Sequence, residues 1–179
     1  MVFFALCVSV VLVGIDRLTK WLVIVYISPV QPVPTIPVLE IGGVKLVYFT
    51  YCENTGAAFS ILSGHRVILT VISLVFVAGA VAVLFSGKIK SKTMIWSIAL
   101  IVAGGVGNLI DRISSGYVVD FIDLKFSGFA IFNFADICAV TGAFMLFLTV
   151  LRDEIRDFKA RRACLPEDDG EEISVKRNE

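Results

Sequence analysis

Two aspartates, Asp120 and Asp136, frame the stretch VDFIDLKFSGFAIFNFAD from Val119 to Asp136. Asp136 sits among Ile131, Phe132, Phe134, Ile137 and Ala139. A carboxylate in such company is costly, so it usually faces a bundle interior or a cavity and marks function. Two carboxylates brought close together cannot both ionise cheaply; they share a proton and titrate as a pair. The ionised member can take a proton from water while the protonated one donates to a scissile carbonyl. That is a minimal kit for peptide hydrolysis without a metal or a covalent intermediate. Other kits lack parts: with His65 the only histidine, neither an HExxH zinc site nor a second-histidine triad can be assembled. Thr19 and Lys20 suggest a hydroxyl–lysine pair, but neighbours on a helix point apart.

The elements that would hold these residues are apolar. Of 179 residues, 57% are hydrophobic, and mean hydropathy is +0.87. The apolar residues come in blocks long enough for a bilayer, which takes about 20 residues of helix. Net charge is zero, yet more than half of the acidic residues follow Leu151. No basic patch with interleaved aromatics appears, so nucleic acid is not an expected partner. Cys7, Cys52, Cys138 and Cys164 have no CxxC spacing, which gives no support to a metal or disulfide framework, and no cofactor is expected.

Four spans are predicted: Val2–Tyr26, Val67–Phe85, Thr93 to about Ile110, and Ala130–Leu151. The first lacks a basic leader and an AxA-like cleavage site, and reads as a retained helix. Pro29, Pro32, Pro34 and Pro37 then forbid a helix, and LEIGGVKLVYFT around Gly42-Gly43 reads as a β-hairpin. In CENTGAAFSIL, Asn54 or Thr55 would cap a short interfacial helix, with Gly56, Ala57 and Ala58 permitting close packing. Arg112 to Lys125 reads as a polar connection. The expected architecture is an all-α membrane domain over residues 1–151, carrying a small extracytoplasmic hairpin and a short interfacial helix. Residues 152–179 form a charged tail that begins as a basic amphipathic helix and ends disordered at PEDDGEE.

Lys88, Lys90 and Lys92 follow the second span, and Arg152, Arg156, Lys159, Arg161 and Arg162 follow the fourth. By the positive-inside rule both termini are cytoplasmic and the hairpin is outside. At about 1.5 Å per helical residue, Asp16 lies ~20 Å and Lys20 ~25–30 Å from the inner surface. Asn108–Arg112 reaches the same outer level, and Asp136 is ~20–24 Å from Arg152. The intramembrane polar residues therefore share one layer near the outer face. Several have structural readings: Asp16 with Lys20, and Asp111 with Arg112, as packing ion pairs; Asn54, Asn108 and Asn133 as interhelical hydrogen bonds; Gly104, Gly105 and Gly107 as points of close helix approach. An ion-coupled carrier or a non-catalytic adaptor would also use such a layer, but a carrier needs protonatable groups continuing inward, and the second and fourth spans have none there.

DRLTK at Asp16–Lys20, NTGAAFS at Asn54–Ser60, GGVGNLIDR at Gly104–Arg112, VVDF at Val118–Phe121 and FNFAD at Phe132–Asp136 together resemble the lipoprotein signal peptidases, the bacterial signal peptidase II family. The motifs follow the family's order over nearly the whole chain up to Leu151. The resemblance implies an aspartyl protease of the bacterial inner membrane with Asp120 and Asp136 as its catalytic pair. Asn54, Gly56, Asn108, Arg112 and Asn133 would line the site, and Asp16 and Lys20 would support it. Arg112 would pair with Asp111 or with backbone carbonyls near the dyad, holding the loop that carries Asp120. The implied substrate is a prolipoprotein whose lipobox cysteine carries diacylglycerol, cut just before that cysteine. Membrane lipid is the other implied partner, and the enzyme is expected to act as a monomer with its site near the outer face.

Overall fold

The computed structural model of the chain describes residues 1–28, 34–56, 64–124 and 129–163. Four helices in it are long and apolar enough to cross a membrane: α1 (Val2–Tyr26), α2 (Arg66–Phe85), α3 (Lys92–Ser114) and α4 (Phe134–Ala163). Between them lie three strands, β1 (Ile36–Ile41), β2 (Val44–Asn54) and β3 (Val118–Leu124).

α3 is the central helix. In its most apolar window 56% of residues are buried, against 17%, 17% and 22% in α1, α2 and α4. The other three turn Val, Leu, Ile and Phe side chains outward, as helices surrounded by lipid tails do. α1 buries a single stripe, Ala5, Ser9, Asp16, Lys20 and Val23, at helical spacing. The polar layer predicted for its late portion is thus the face it turns to the bundle.

Glycines bring α4 onto α3. A Cβ at Gly107 would lie 2.7 Å from the Asp16 carboxylate and 3.0 Å from Ala135 Cβ, and one at Gly104 would lie 2.8 Å from Ala139. Small residues at such a seam let backbones approach where no hydrophobic effect drives association.

The hairpin forms as expected, with β1 antiparallel to β2 and positive φ at Gly42 (60°) and Gly43 (82°), as a two-residue type I′ turn requires. The polar connection after α3 is where the structure departs from expectation. Arg112 to Ser114 complete α3, and VVDFIDL becomes β3, pairing antiparallel with β2 to make a sheet of order β1-β2-β3. Its Val119 and Phe121 pack on Val23 and Ile27 at the end of α1. Alternation along the strand then turns Val118 and Asp120 to the opposite face.

α4 begins at Phe134, four residues later than the predicted span, and continues past Leu151 to Ala163. The basic opening of the tail is therefore helix continuous with the span. The expected helix after Asn54 and the acidic end of the tail fall on residues 57–63 and 164–179, outside the described residues.

Candidate active site

The site forms where the sheet meets the ends of α1, α3 and α4. Phe132 makes an isolated antiparallel bridge to Ile122, with Phe132 N donating to Ile122 O at 3.1 Å and Ile122 N to Phe132 O at 2.8 Å. That bridge sets Asn133, the residue before α4, beside β3. Asn133 and Asp136 then form a reciprocal capping box: Asp136 N donates to Asn133 Oδ1 at 3.0 Å, and Asn133 N donates to Asp136 Oδ2 at 3.1 Å. The Asn133 amide remains free to reach across, and its Nδ2 donates to Asp120 Oδ1 at 2.6 Å and to Asn108 Oδ1 at 3.1 Å.

Every carboxylate oxygen of the two aspartates accepts an amide N–H. Asn54 Nδ2 donates to Asp120 Oδ2 at 2.8 Å, and Asn108 Nδ2 to Asp136 Oδ1 at 2.7 Å. The β2–β3 register explains the first, because Cys52 lies opposite Asp120 and Asn54, two residues on, shares its face. Burial pushes the Asp120 carboxyl up to about 6; the nearby Asp136 charge adds to this, while the donors Asn54 and Asn133 oppose it.

Behind Asn108 lies a buried ionic cluster. Lys20, 2% exposed, donates to Asn108 Oδ1 at 3.0 Å and pairs with Asp16 at 3.1 Å and Asp111 at 2.8 Å. Arg17 joins the same two carboxylates, at 2.9 Å from Asp16 and 2.6 Å from Asp111. Two cations and two anions neutralise one another, which a buried cluster needs. Its acceptors also hold neighbouring backbone: Asp16 Oδ1 accepts from Ala135 N at 3.1 Å, in the first turn of α4, and Asp111 Oδ2 from Val119 N at 3.3 Å, in β3. An anion at a helix N-terminus is favourable on both hydrogen-bond and dipole grounds. Lys20 occupies the Asn108 oxygen, so the Asn108 NH₂ is left to face Asp136.

The predicted site residues thus come together: Asp120, Asp136, Asn54, Asn108 and Asn133 in direct contact, with Asp16 and Lys20 one layer behind. Gly56 N donates to Asn54 Oδ1 at 2.9 Å, and Arg112 Nη2 donates to Gly56 O at 3.2 Å. Of the two partners expected for Arg112, the Asp111 carboxylate is not taken and a backbone carbonyl near the aspartate pair, that of Gly56, is. Consecutive helical residues point apart, so Asp111 turns inward to Lys20 and Arg17 while Arg112 turns to the β2 end. For the same reason Thr19 and Lys20 separate: Thr19 Oγ1 back-bonds to Asp16 O at 3.0 Å while Lys20 joins the cluster. Arg17 is the member of the cluster that sequence reasoning gave no role, and its adjacency to Asp16 was the available signal.

A cavity of about 180 Å³ opens over the pair, lined by Asn54, Asn108, Arg112, Asp120, Phe132 and Asp136 among others. It adjoins an apolar groove of about 340 Å³ along Leu124, Phe129, Phe132, Ile137, Val140 and Thr141. Among the described residues no group of three or more His, Cys, Asp or Glu side chains could hold a metal ion. Asp120 and Asp136 therefore present two carboxylates, each held by amide donors, to a small cavity lined mostly by apolar side chains and continuous with an apolar groove.

A family model described as signal peptidase (SPase) II matches residues 8–152. The chain is 39% identical over 148 residues to a lipoprotein signal peptidase of Streptococcus pneumoniae, across 83% of this chain and 92% of that one. It is 35% identical over 158 residues to a lipoprotein signal peptidase of Clostridium acetobutylicum, across 85% and 98% of the two chains. Its fold is similar to a solved bacterial membrane enzyme, with TM-score 0.75 and 28% identity over 84% of this chain and 89% of the other.

Proposed function

We propose that this chain, which belongs to the signal peptidase II family, uses Asp120 and Asp136 as an aspartyl dyad. Members of that family are proteases that remove signal peptides from prolipoproteins, and this multi-pass membrane protein is one of them. The observation that carries the dyad reading is Asn133, hydrogen-bonded to both aspartates beneath one cavity.

Peptide hydrolysis by such a pair proceeds with one shared proton. A water between the carboxyl groups gives a proton to the ionised aspartate as its oxygen attacks the scissile carbonyl. The protonated aspartate donates to the carbonyl oxygen, so the tetrahedral species is neutral. The first aspartate then returns its proton to the departing nitrogen, and the second takes one back from the diol, restoring the pair. The amide donors on all four carboxylate oxygens fix both groups for this exchange at little reorganisation cost.

The bond cut is the one preceding the lipidated cysteine. The apolar groove leaving the cavity along Phe129, Phe132, Ile137 and Val140 suits the acyl chains of a diacylglyceryl group. Basic residues flanking α2, α3 and α4 favour cytoplasmic termini, which sets the site near the outer face of the bacterial inner membrane.

The carrier reading loses support at the other end of the bundle. The buried polar groups described there, Ser9, Ser97 and Thr149, are hydroxyls bonded to helix carbonyls and do not titrate. Incubating the purified protein with diacylglyceryl-modified and unmodified forms of one prolipoprotein tests the substrate assignment. Product masses should show cleavage before the cysteine and a strong preference for the modified form. Equal cleavage of both, or a cut elsewhere, would contradict it.

A further inference from the structure

We propose that the cleft between the start of α2 and the end of α3 binds the phosphodiester headgroup of an anionic phospholipid between the guanidinium groups of Arg66 and Arg112. The cleft measures about 390 Å³ and is lined by Arg66, Val67, Thr70, Val71, Arg112 and Ile113. Arg66 Nη2 donates to Ile113 O at 3.2 Å, and Arg112 Nη2 donates to Gly56 O at 3.2 Å. Each guanidinium carries several further N–H donors. Among the described residues neither arginine is within ion-pair distance of a carboxylate, and the first turn of α2 has no acidic side chain. Arg66 thus brings an unpaired cation to the cleft, and Arg112 adds a second whose charge is partly offset by Asp136, Asp120 and Asp111 on the side of the other cavity.

The surroundings specify what would neutralise Arg66. Arg66 is exposed, and it lies against Gly116, where a Cβ would come 2.7 Å from Nη1, so its guanidinium rests at the end of α3 with its remaining donors open to the cleft. Below it Val67 (72% exposed), Val71 (51%) and Ile113 (59%) belong to membrane-spanning helices and face outward. The cleft therefore has a cationic top at the sheet end of the bundle and an apolar flank along the helices. A guanidinium fork fits phosphate oxygens bidentately. An anionic lipid meets both requirements, its phosphodiester on the arginines and its acyl chains on Val67 and Val71; inorganic phosphate meets only the first. This binding is independent of how the dyad works. Arg112 nevertheless lines both this cleft and the cavity over Asp120 and Asp136, so a lipid held here would bear on the rim of the site.

The test is native mass spectrometry of the detergent-purified full chain with added phosphatidylglycerol, phosphatidylcholine or inorganic phosphate, melting curves serving as the folding control. The wild-type protein should retain one phosphatidylglycerol about tenfold better than phosphatidylcholine, and equimolar inorganic phosphate should not displace it. Arg66→Gln should reduce retention to the phosphatidylcholine level. Val67→Glu, which keeps the Arg66–Ile113 bond but supplies a competing carboxylate, should do the same even if Arg66→Gln fails to fold. Equal retention of the two lipids by the wild-type protein, retention unchanged in Val67→Glu, or displacement by inorganic phosphate would overturn the proposal.

Discussion

Asn133 donates its side-chain amide to Asp120 over 2.6 Å while its backbone N–H is held by Asp136 at 3.1 Å. One residue thereby performs two separable tasks, capping α4 and bridging the aspartates. Serine caps a helix about as well as asparagine but has no amide to reach Asp120. Asn133→Ser should keep a melting temperature close to wild type and lose at least ~100-fold in kcat, the scale of removing a preorganised donor. Wild-type turnover in Asn133→Ser would remove the bridge from the mechanism.

Lys20 neutralises two buried carboxylates at once. Lys20→Met leaves Asp16 and Asp111 sharing Arg17 alone, and breaking a buried pair costs about 3–5 kcal/mol. The variant should melt well below wild type, and adding Asp111→Asn should recover part of the loss. A melting curve unchanged by Lys20→Met would show that the cluster does not stabilise the fold.

Gly107 and Gly14 separate close packing from helix propensity. Gly107→Ala drives a methyl group to 2.7 Å from the Asp16 carboxylate and should destabilise by about 1–3 kcal/mol, lowering activity as α4 shifts. At Gly14 a Cβ meets nothing within 4 Å, so Gly14→Ala should be neutral or slightly stabilising. Equal effects at the two sites, read by thermal melting in detergent, would contradict the packing argument.

The Asp120 carboxyl has a pH signature. Folding raises it from 3.8 to about 6, so the folded protein binds its proton more tightly than the unfolded chain does. Between those values the folded state holds the extra proton, and the Asp120 contribution to stability falls as pH rises, then levels off above about 6. Asn54 donates to the ionised form, so Asn54→Ala should move the upper end of this fall to higher pH. Melting temperature against pH checks it; a shift to lower pH, or none, would exclude Asn54 as a stabiliser of the charge.

Much of this organisation was legible in the sequence because its signals are local. Long apolar runs gave the helices, Gly42-Gly43 gave the hairpin turn, and counting helical rise brought Asp16, Asn108 and Asp136 to one level. β3 was not legible: Asp120 and Asp123 interrupt its apolar pattern, and its partner β2 lies far back in the chain, so only tertiary pairing reveals it as a strand. The partner of Asp111 was missed because sequence adjacency suggested Arg112, whereas helix geometry turns Asp111 toward Lys20 and Arg17. The asparagines were recognisable as polar residues at the right depth, but not that each donates to a carboxylate. That depends on amide orientations, and the orientation of Asn108 is set by Lys20 on another helix.

The most direct test of the central claim is cleavage of a diacylglyceryl-modified prolipoprotein by the wild-type protein, Asp120→Asn and Asp136→Asn, each verified as folded. The dyad account predicts product from the wild-type protein and none detectable from either variant. Cleavage at a comparable rate by either folded variant would contradict it and move the chemistry to other residues.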